Sequence, residues 1–154
     1  MRNSILISIW LSLFFSCAST HDVPTQPVPD KLIFDTEEVS QYRVLIKIAQ
    51  AELTGILVLK YMNTEWRGSL INEFGIKAFD FTASQKRCKL QNVTPFLNKW
   101  YIRRTIESDF AYLLWNEQSV KEKSLIQLSD GTFLLKNEKR GIEYLFNVLT
   151  NEAD

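Results

Sequence analysis

The chain of 154 residues carries 18 lysine and arginine residues and 18 aspartate and glutamate residues, so its formal net charge is zero. A balanced charge offers no general attraction to a phosphate backbone, and we predict no nucleic-acid partner. The only histidine, His21, lies before the folded part, which excludes serine–histidine and cysteine–histidine catalysis and most zinc sites there. We therefore predict a protein that is not an enzyme and has no metal and no cofactor.

Residues 1–16 have the plan of a secretory signal peptide. Met1–Asn3 carries a positive charge, and the run from Ile5 to Phe15 is apolar apart from two serines. This run is too short to span a bilayer as a permanent helix, as is typical of a signal segment.

A small residue, Ser16, precedes Cys17 at the end of this segment. The junction resembles the lipobox of bacterial lipoproteins, in which the cysteine is acylated and becomes the new N-terminus. The resemblance implies that Cys17 is the lipidation site and anchors the protein to a membrane. Two alternatives remain open: cleavage after Ala18 with secretion of an unlipidated protein, and a buried apolar element of the fold.

Residues 17–30 contain three of the four prolines of the chain, at positions 24, 27 and 29, without apolar periodicity. This composition predicts an extended tether that follows the lipidated cysteine. Residues 31–154 then form a single β-rich domain, long enough for one hydrophobic core without disulfides. In this domain Cys88 alternates with Leu90, which predicts a buried, unreactive thiol.

Alternating apolar residues predict five strands in the first half of the domain, around Val44–Ile48, Leu53–Met62, Trp66–Phe74, Ile76–Ala83 and Arg87–Val93. The second strand is apolar on both faces, and a polar turn at residues 63–65 follows it. Phe74 is expected on the same face as Trp66. Short connections between these strands favour an antiparallel meander.

The period changes at Thr94-Pro95, where threonine suits an N-cap and proline the first helical position. One helical face then follows along Ile102, Ile106, Phe110 and Leu113, widened by Leu97, Trp100 and Leu114. Ser108-Asp109 is a possible start of a second helix, so one long helix and two short helices both remain open.

The last third returns to strands. Asp130-Gly131 separates two apolar runs and is a strong hairpin signal, and a final strand covers Ile142–Phe146. The order predicts an α+β fold: a curved antiparallel sheet or incomplete β-barrel with one or two helices packed in its concavity.

Two stretches of this meander, Leu53–Val58 and Trp66–Leu70, together with Asn72-Glu73-Phe74-Gly75, resemble the opening of LolB-like proteins. The resemblance to the LolA/LolB family covers about residues 43–135, and the chain also resembles small lipoproteins of the Bacteroidota type. Proteins of the LolA/LolB family carry lipoproteins to the outer membrane and insert them there. The resemblance implies an incomplete barrel with an apolar cavity for acyl chains.

We accordingly expect an envelope lipoprotein, lipid-anchored at the outer membrane and facing the periplasm, whose half-barrel shields acyl chains during lipoprotein or lipid trafficking. The cavity candidates are Leu57, Leu59, Leu70, Phe79, Phe81, Ile106 and Phe110. The same residues would equally pack a plain core. The alternative is therefore a structural or protein-interaction lipoprotein of an envelope complex, without a ligand cavity, whose sheet edge or exposed aromatic residues dock a partner.

The stretch between Asp80 and Glu107 is basic, because it contains cationic residues and no acidic residue. Its cations are Lys86, Arg87, Lys89, Lys99, Arg103 and Arg104, with Trp100 and Tyr101 among them. It is interpreted either as a face for anionic lipid headgroups or as a solvated strand face followed by a helix flank.

Overall fold

The structure is a computed structural model, and it describes residues 26–27, 34, 36–48, 51–85, 87–115, 122–128 and 131–149. The predicted signal segment, Cys17 and most of the predicted tether lie outside these residues. The described elements are β1 (Gln26–Pro27), β2 (Ser40–Ile48), β3 (Ala51–Met62), β4 (Glu65–Asn72), β5 (Lys77–Ser84), β6 (Arg87–Gln91), α1 (Trp100–Trp115), β7 (Lys123–Gln127), β8 (Phe133–Asn137) and β9 (Ile142–Val148).

The described strands form one antiparallel sheet in the order β1-β7-β8-β9-β2-β3-β4-β5-β6. The sheet curls into a half-barrel, and α1 packs in its concavity. The predicted α+β fold is thereby confirmed. One helix, not two, occupies the described residues between β6 and β7, because Ser108 and Asp109 continue α1 without a break.

The hydrophobic core lies between the inner face of the sheet and α1. In β3, the inward residues Leu57 and Leu59 are buried, whereas Ile56 and Met62 on the outer face are 37% and 41% exposed. The strand that is apolar on both faces in the sequence therefore contributes only one face to the core.

The conformations of the two hairpin turns after β3 and β4 are determined by residues within or next to each turn. Asn63 and Thr64 both have positive φ, of 51° and 63°, as a two-residue turn between twisted strands requires. At the next turn the carboxamide oxygen of Asn72 accepts the N–H groups of Phe74 and Ile76, at 3.0 and 2.8 Å. These bonds end β4 at Asn72, so the prediction that Phe74 lies in the strand is wrong. Its side chain is 79% exposed.

The prediction that the helix starts at Thr94 is also wrong. The N–H of Thr94 donates to the carbonyl of Ala78 at 2.9 Å, which extends the strand pairing beyond β6. Short turns follow, with Leu97 N–H donating to the Thr94 carbonyl at 3.0 Å, and α1 begins only at Trp100. Sheet pairing thus takes precedence over a favourable capping sequence.

Side chains and the tether cover parts of both sheet edges. At the β6 edge, the Glu107 carboxylate accepts the Leu90 N–H at 3.0 Å, and the Arg103 guanidinium donates to the Leu90 carbonyl at 2.9 Å. At the other edge, Gln26 and Pro27 pair with Gln127 and Ile126 of β7. Part of the predicted tether is therefore a strand of the sheet.

Candidate functional site

The structure brings all seven cavity candidates together. Leu57, Leu59, Leu70, Phe79, Phe81, Ile106 and Phe110 are each between 0 and 2% exposed and belong to one core cluster. The Phe110 ring contacts the rings of Phe79 and Phe81 edge-on, with centroids 5.6 and 5.1 Å apart. Here α1 and the sheet contact each other directly.

The surface depressions around the described residues are lined mainly by polar side chains. One of about 510 Å³ lies beside Lys47 and Lys136, and one of about 310 Å³ beside Arg67 and Lys89. Neither depression is lined by any of the seven cavity candidates.

Large apolar side chains are exposed at the place where β4 and β6 end and β5 and α1 begin. This surface, the aromatic end, consists of Phe74 (79% exposed), Ile76 (59%), Phe96 (59%), Trp100 (76%) and Tyr101 (45%). The hydrogen bond from Thr94 to Ala78 places the segment that follows β6 beside the start of β5. The Trp100 and Tyr101 rings contact each other with centroids 6.0 Å apart. Trp100, expected on the packing face of the helix, is therefore a surface residue.

The basic stretch is divided by the fold. Arg87 and Lys89 lie on β6 beside Arg67, whereas Lys99 and Arg104 lie at the start of α1, next to the aromatic end. Among the described residues, neither Lys99 nor Arg104 makes an ion pair. The exposed Glu73 is an acidic neighbour of Phe74 in the same turn. Lys86 lies outside the described residues.

A buried polar cluster, the Asp109 network, joins α1 to β7, β8 and β9. The fully buried Asp109 carboxylate accepts from the Tyr144 hydroxyl at 2.7 Å and from the Asn137 amide at 2.7 Å. The Lys123 ammonium, only 5% exposed, lies 2.9 Å from the same carboxylate. Burial and the neighbouring Asp109 carboxylate raise the pKa of Tyr144 well above its usual value.

Sequence reasoning missed the Asp109 network. Asp109 lies three residues after Ile106 and beside Phe110, so a charged residue interrupts the apolar stripe at a core position. That interruption was the available signal. It identifies a buried carboxylate but not its partners, which come from three strands.

Cys88 is a buried free thiol, as predicted. Burial, together with the Glu107 carboxylate, raises its pKa to about 12. At pH 8 the thiolate fraction is then about three orders of magnitude lower than for an unperturbed thiol. In a chain carrying Cys17→Ala, we expect Cys88 to react with Ellman's reagent very slowly when folded and rapidly in concentrated urea. Fast labelling of the folded protein would contradict the burial of this thiol.

No protein-family model matches the chain, and comparisons with curated proteins and with solved structures also find no match. The resemblance to the LolA/LolB family therefore stays a prediction. Among the described residues, no helix is long and apolar enough to cross a bilayer. Within the same residues, no group of three or more histidine, cysteine, aspartate or glutamate side chains is arranged to hold a metal ion.

Proposed function

We propose that the chain is a non-enzymatic lipoprotein of the cell envelope, anchored through Cys17, whose half-barrel domain docks on a lipid surface through the aromatic end. The observation that carries this proposal is the exposure of five large apolar side chains at one end of the domain. Exposed apolar clusters of this kind mark interaction sites. Tryptophan and tyrosine in particular favour the boundary between lipid headgroups and acyl chains.

The packing of the core favours this function over shielding of acyl chains. An acyl-chain carrier needs space between the sheet and the helix. At the candidate positions the Phe110 ring is instead surrounded by Phe79, Phe81 and Tyr144. Trafficking of lipoproteins or lipids within the half-barrel is therefore the less supported of the two functions expected from the sequence.

The hydrogen bonding of the edges favours the aromatic end over strand addition. A partner strand needs unpaired backbone groups along a sheet edge. On β6, the backbone groups of Leu90 are already bonded to Glu107 and Arg103. On β7, Gln127 and Ile126 already pair with β1.

A lipid surface is the partner that the side-chain chemistry favours. Lys99 and Arg104 flank the aromatic end without ion-pair partners among the described residues, and cations near the headgroups are attracted by anionic lipids. A second contact beside the lipid anchor would also fix the orientation of the domain on the membrane.

The test is co-sedimentation with vesicles of phosphatidylethanolamine and phosphatidylglycerol. Cys17→Ala removes the lipid anchor, so that binding reports on the domain. We expect this chain to bind the vesicles. In the same background, Phe74→Ser and Trp100→Ser should each weaken binding at least about tenfold, because each aromatic side chain contributes on the order of 1.5–3 kcal/mol when fully buried in an apolar phase.

The matched control is Val148→Ser, since Val148 is 52% exposed on β9, away from the aromatic end. This change should leave vesicle binding unaltered. Equal losses from the control and from the aromatic variants, or no vesicle binding at all, would overturn the proposal. Loss of a co-purifying envelope protein in the aromatic variants, without any effect on vesicles, would instead favour docking to a protein.

A further inference from the structure

A small cavity between α1 and the β8–β9 turn is lined mostly by cationic and hydroxyl groups. Its volume is about 210 Å³, and Arg104, Ser108, Lys123, Lys139 and Arg140 contribute to its lining. Among the described residues that line the cavity, the one carboxylate is that of Glu122, which is 3.0 Å from the Lys139 ammonium and so is already paired. We propose that this cavity binds a phosphate group.

The floor of the cavity retains hydrogen-bond donors. The Lys123 ammonium has three N–H groups, of which one donates to the Ser108 hydroxyl at 2.7 Å and another faces the Asp109 carboxylate at 2.9 Å. The third makes no hydrogen bond to the described residues, and the ammonium also lies 5.9 Å from the centre of the Tyr112 ring. Since the Ser108 oxygen accepts from Lys123, its own hydroxyl hydrogen is free to donate outward.

The walls supply two guanidinium groups. Arg104 comes from α1 and Arg140 from the β8–β9 turn, and neither makes an ion pair among the described residues. Guanidinium groups bind phosphate oxygens through two parallel hydrogen bonds, and this geometry favours phosphate over a monovalent halide.

The Asp109 network holds the position of the Arg140 backbone. The Asn137 side chain donates to Asp109 at 2.7 Å and accepts the N–H of Arg140 at 3.2 Å. The floor and the Arg140 wall therefore share one buried anchor, and Arg104 lies on the same helix as Asp109. Among the described residues, and with Asp109 and Glu122 counted, the four cations around the cavity exceed the anions by two, which matches the charge of a phosphate monoester at neutral pH.

Two sources of phosphate fit this chemistry: a soluble phosphate or phosphomonoester, and the headgroup of a phospholipid. Arg104 also borders the depression that contains Trp100 of the aromatic end. A headgroup phosphate is therefore within the reach of a domain docked on lipid, but the binding of a soluble phosphate does not depend on that docking.

The experiment is isothermal titration of the full chain at constant chloride, first with inorganic phosphate and glycerol phosphate, then with phosphatidylcholine vesicles with and without phosphatidic acid. We expect saturable binding that Arg104→Gln and Arg140→Gln each weaken about tenfold, through loss of a charge-assisted hydrogen-bond pair. Both side chains are exposed, so the variants are expected to fold, and circular dichroism verifies this.

The controls are Arg67→Gln and Lys89→Gln, which remove the same charge beside the separate depression on β4 and β6. Binding of soluble phosphate that the cavity variants weaken and the controls do not would support a site for free phosphate. The same pattern with phosphatidic acid vesicles alone would support a headgroup site. If neither soluble phosphate nor phosphatidic acid vesicles bind, or if cavity variants and controls lose affinity equally, the inference is overturned.

Discussion

Asp109→Ala should lower the free energy of unfolding by about 3–5 kcal/mol, because it removes one partner of a buried ion pair. The Lys123 ammonium, 5% exposed, would remain as an uncompensated charge, and the Tyr144 hydroxyl and the Asn137 amide would lose their acceptor. Urea denaturation followed by tryptophan fluorescence measures this change.

A surface pair provides the control for the Asp109 variant. Lys136 and Glu143 lie 3.1 Å apart with side chains 40% and 41% exposed, so Glu143→Ala should cost no more than about 1 kcal/mol. Adding Lys123→Met to Asp109→Ala should recover part of the loss, since no unpaired charge then remains buried. Equal costs for Asp109→Ala and Glu143→Ala would show that the Asp109 network does not stabilise the fold.

Phe110→Ala should cost about 3–5 kcal/mol of unfolding free energy, because truncation of a tightly packed aromatic residue leaves a cavity. Its ring is fully buried and contacts Phe79, Phe81 and Tyr144. The control is Phe74→Ala, at a side chain 79% exposed, which should change stability by no more than about 0.5 kcal/mol.

The Phe110 variant also distinguishes a packed core from a cavity for acyl chains. At the wall of such a cavity, truncation would cost less than in a closed core and would weaken lipid binding instead. Native mass spectrometry of the gently extracted protein reports any bound lipid. A small loss of stability together with an acyl ligand in the mass spectrum would contradict the packed core and restore the carrier function.

Much of the half-barrel was predictable because most neighbouring strands of the sheet are also consecutive along the chain. Alternation in β2 and β5 placed residues such as Val44 and Phe79 on the inner face, and the structure confirms both as buried. The helix start was not predictable from Thr94-Pro95, because the Thr94 N–H donates to the carbonyl of Ala78, which is far away in the sequence. Phe74 and Trp100 were misplaced for a related reason: apolar character does not specify whether a side chain near an element end faces the core.

The candidate sites depend more heavily on long-range contacts. The aromatic end combines the β4–β5 turn, the connection after β6 and the first turn of α1. The Asp109 network takes its members from α1, β7, β8 and β9. No spacing within any one of these segments indicates the others, since side chains brought together by sheet curvature are far apart along the chain.

The sequence by itself determined the α+β class, the order in which strands and helix follow one another along the chain, and the inward face of each long strand. Periodicity and turn chemistry, which act between near neighbours, were sufficient for this. It also supports the prediction of an anchor at Cys17, which lies outside the described residues. Only the tertiary structure decided that the seven cavity candidates pack against one another, because burial depends on how closely the helix approaches the sheet. The same closeness buries Asp109 among its partners, whereas Trp100, in the first turn of the helix, is exposed to solvent.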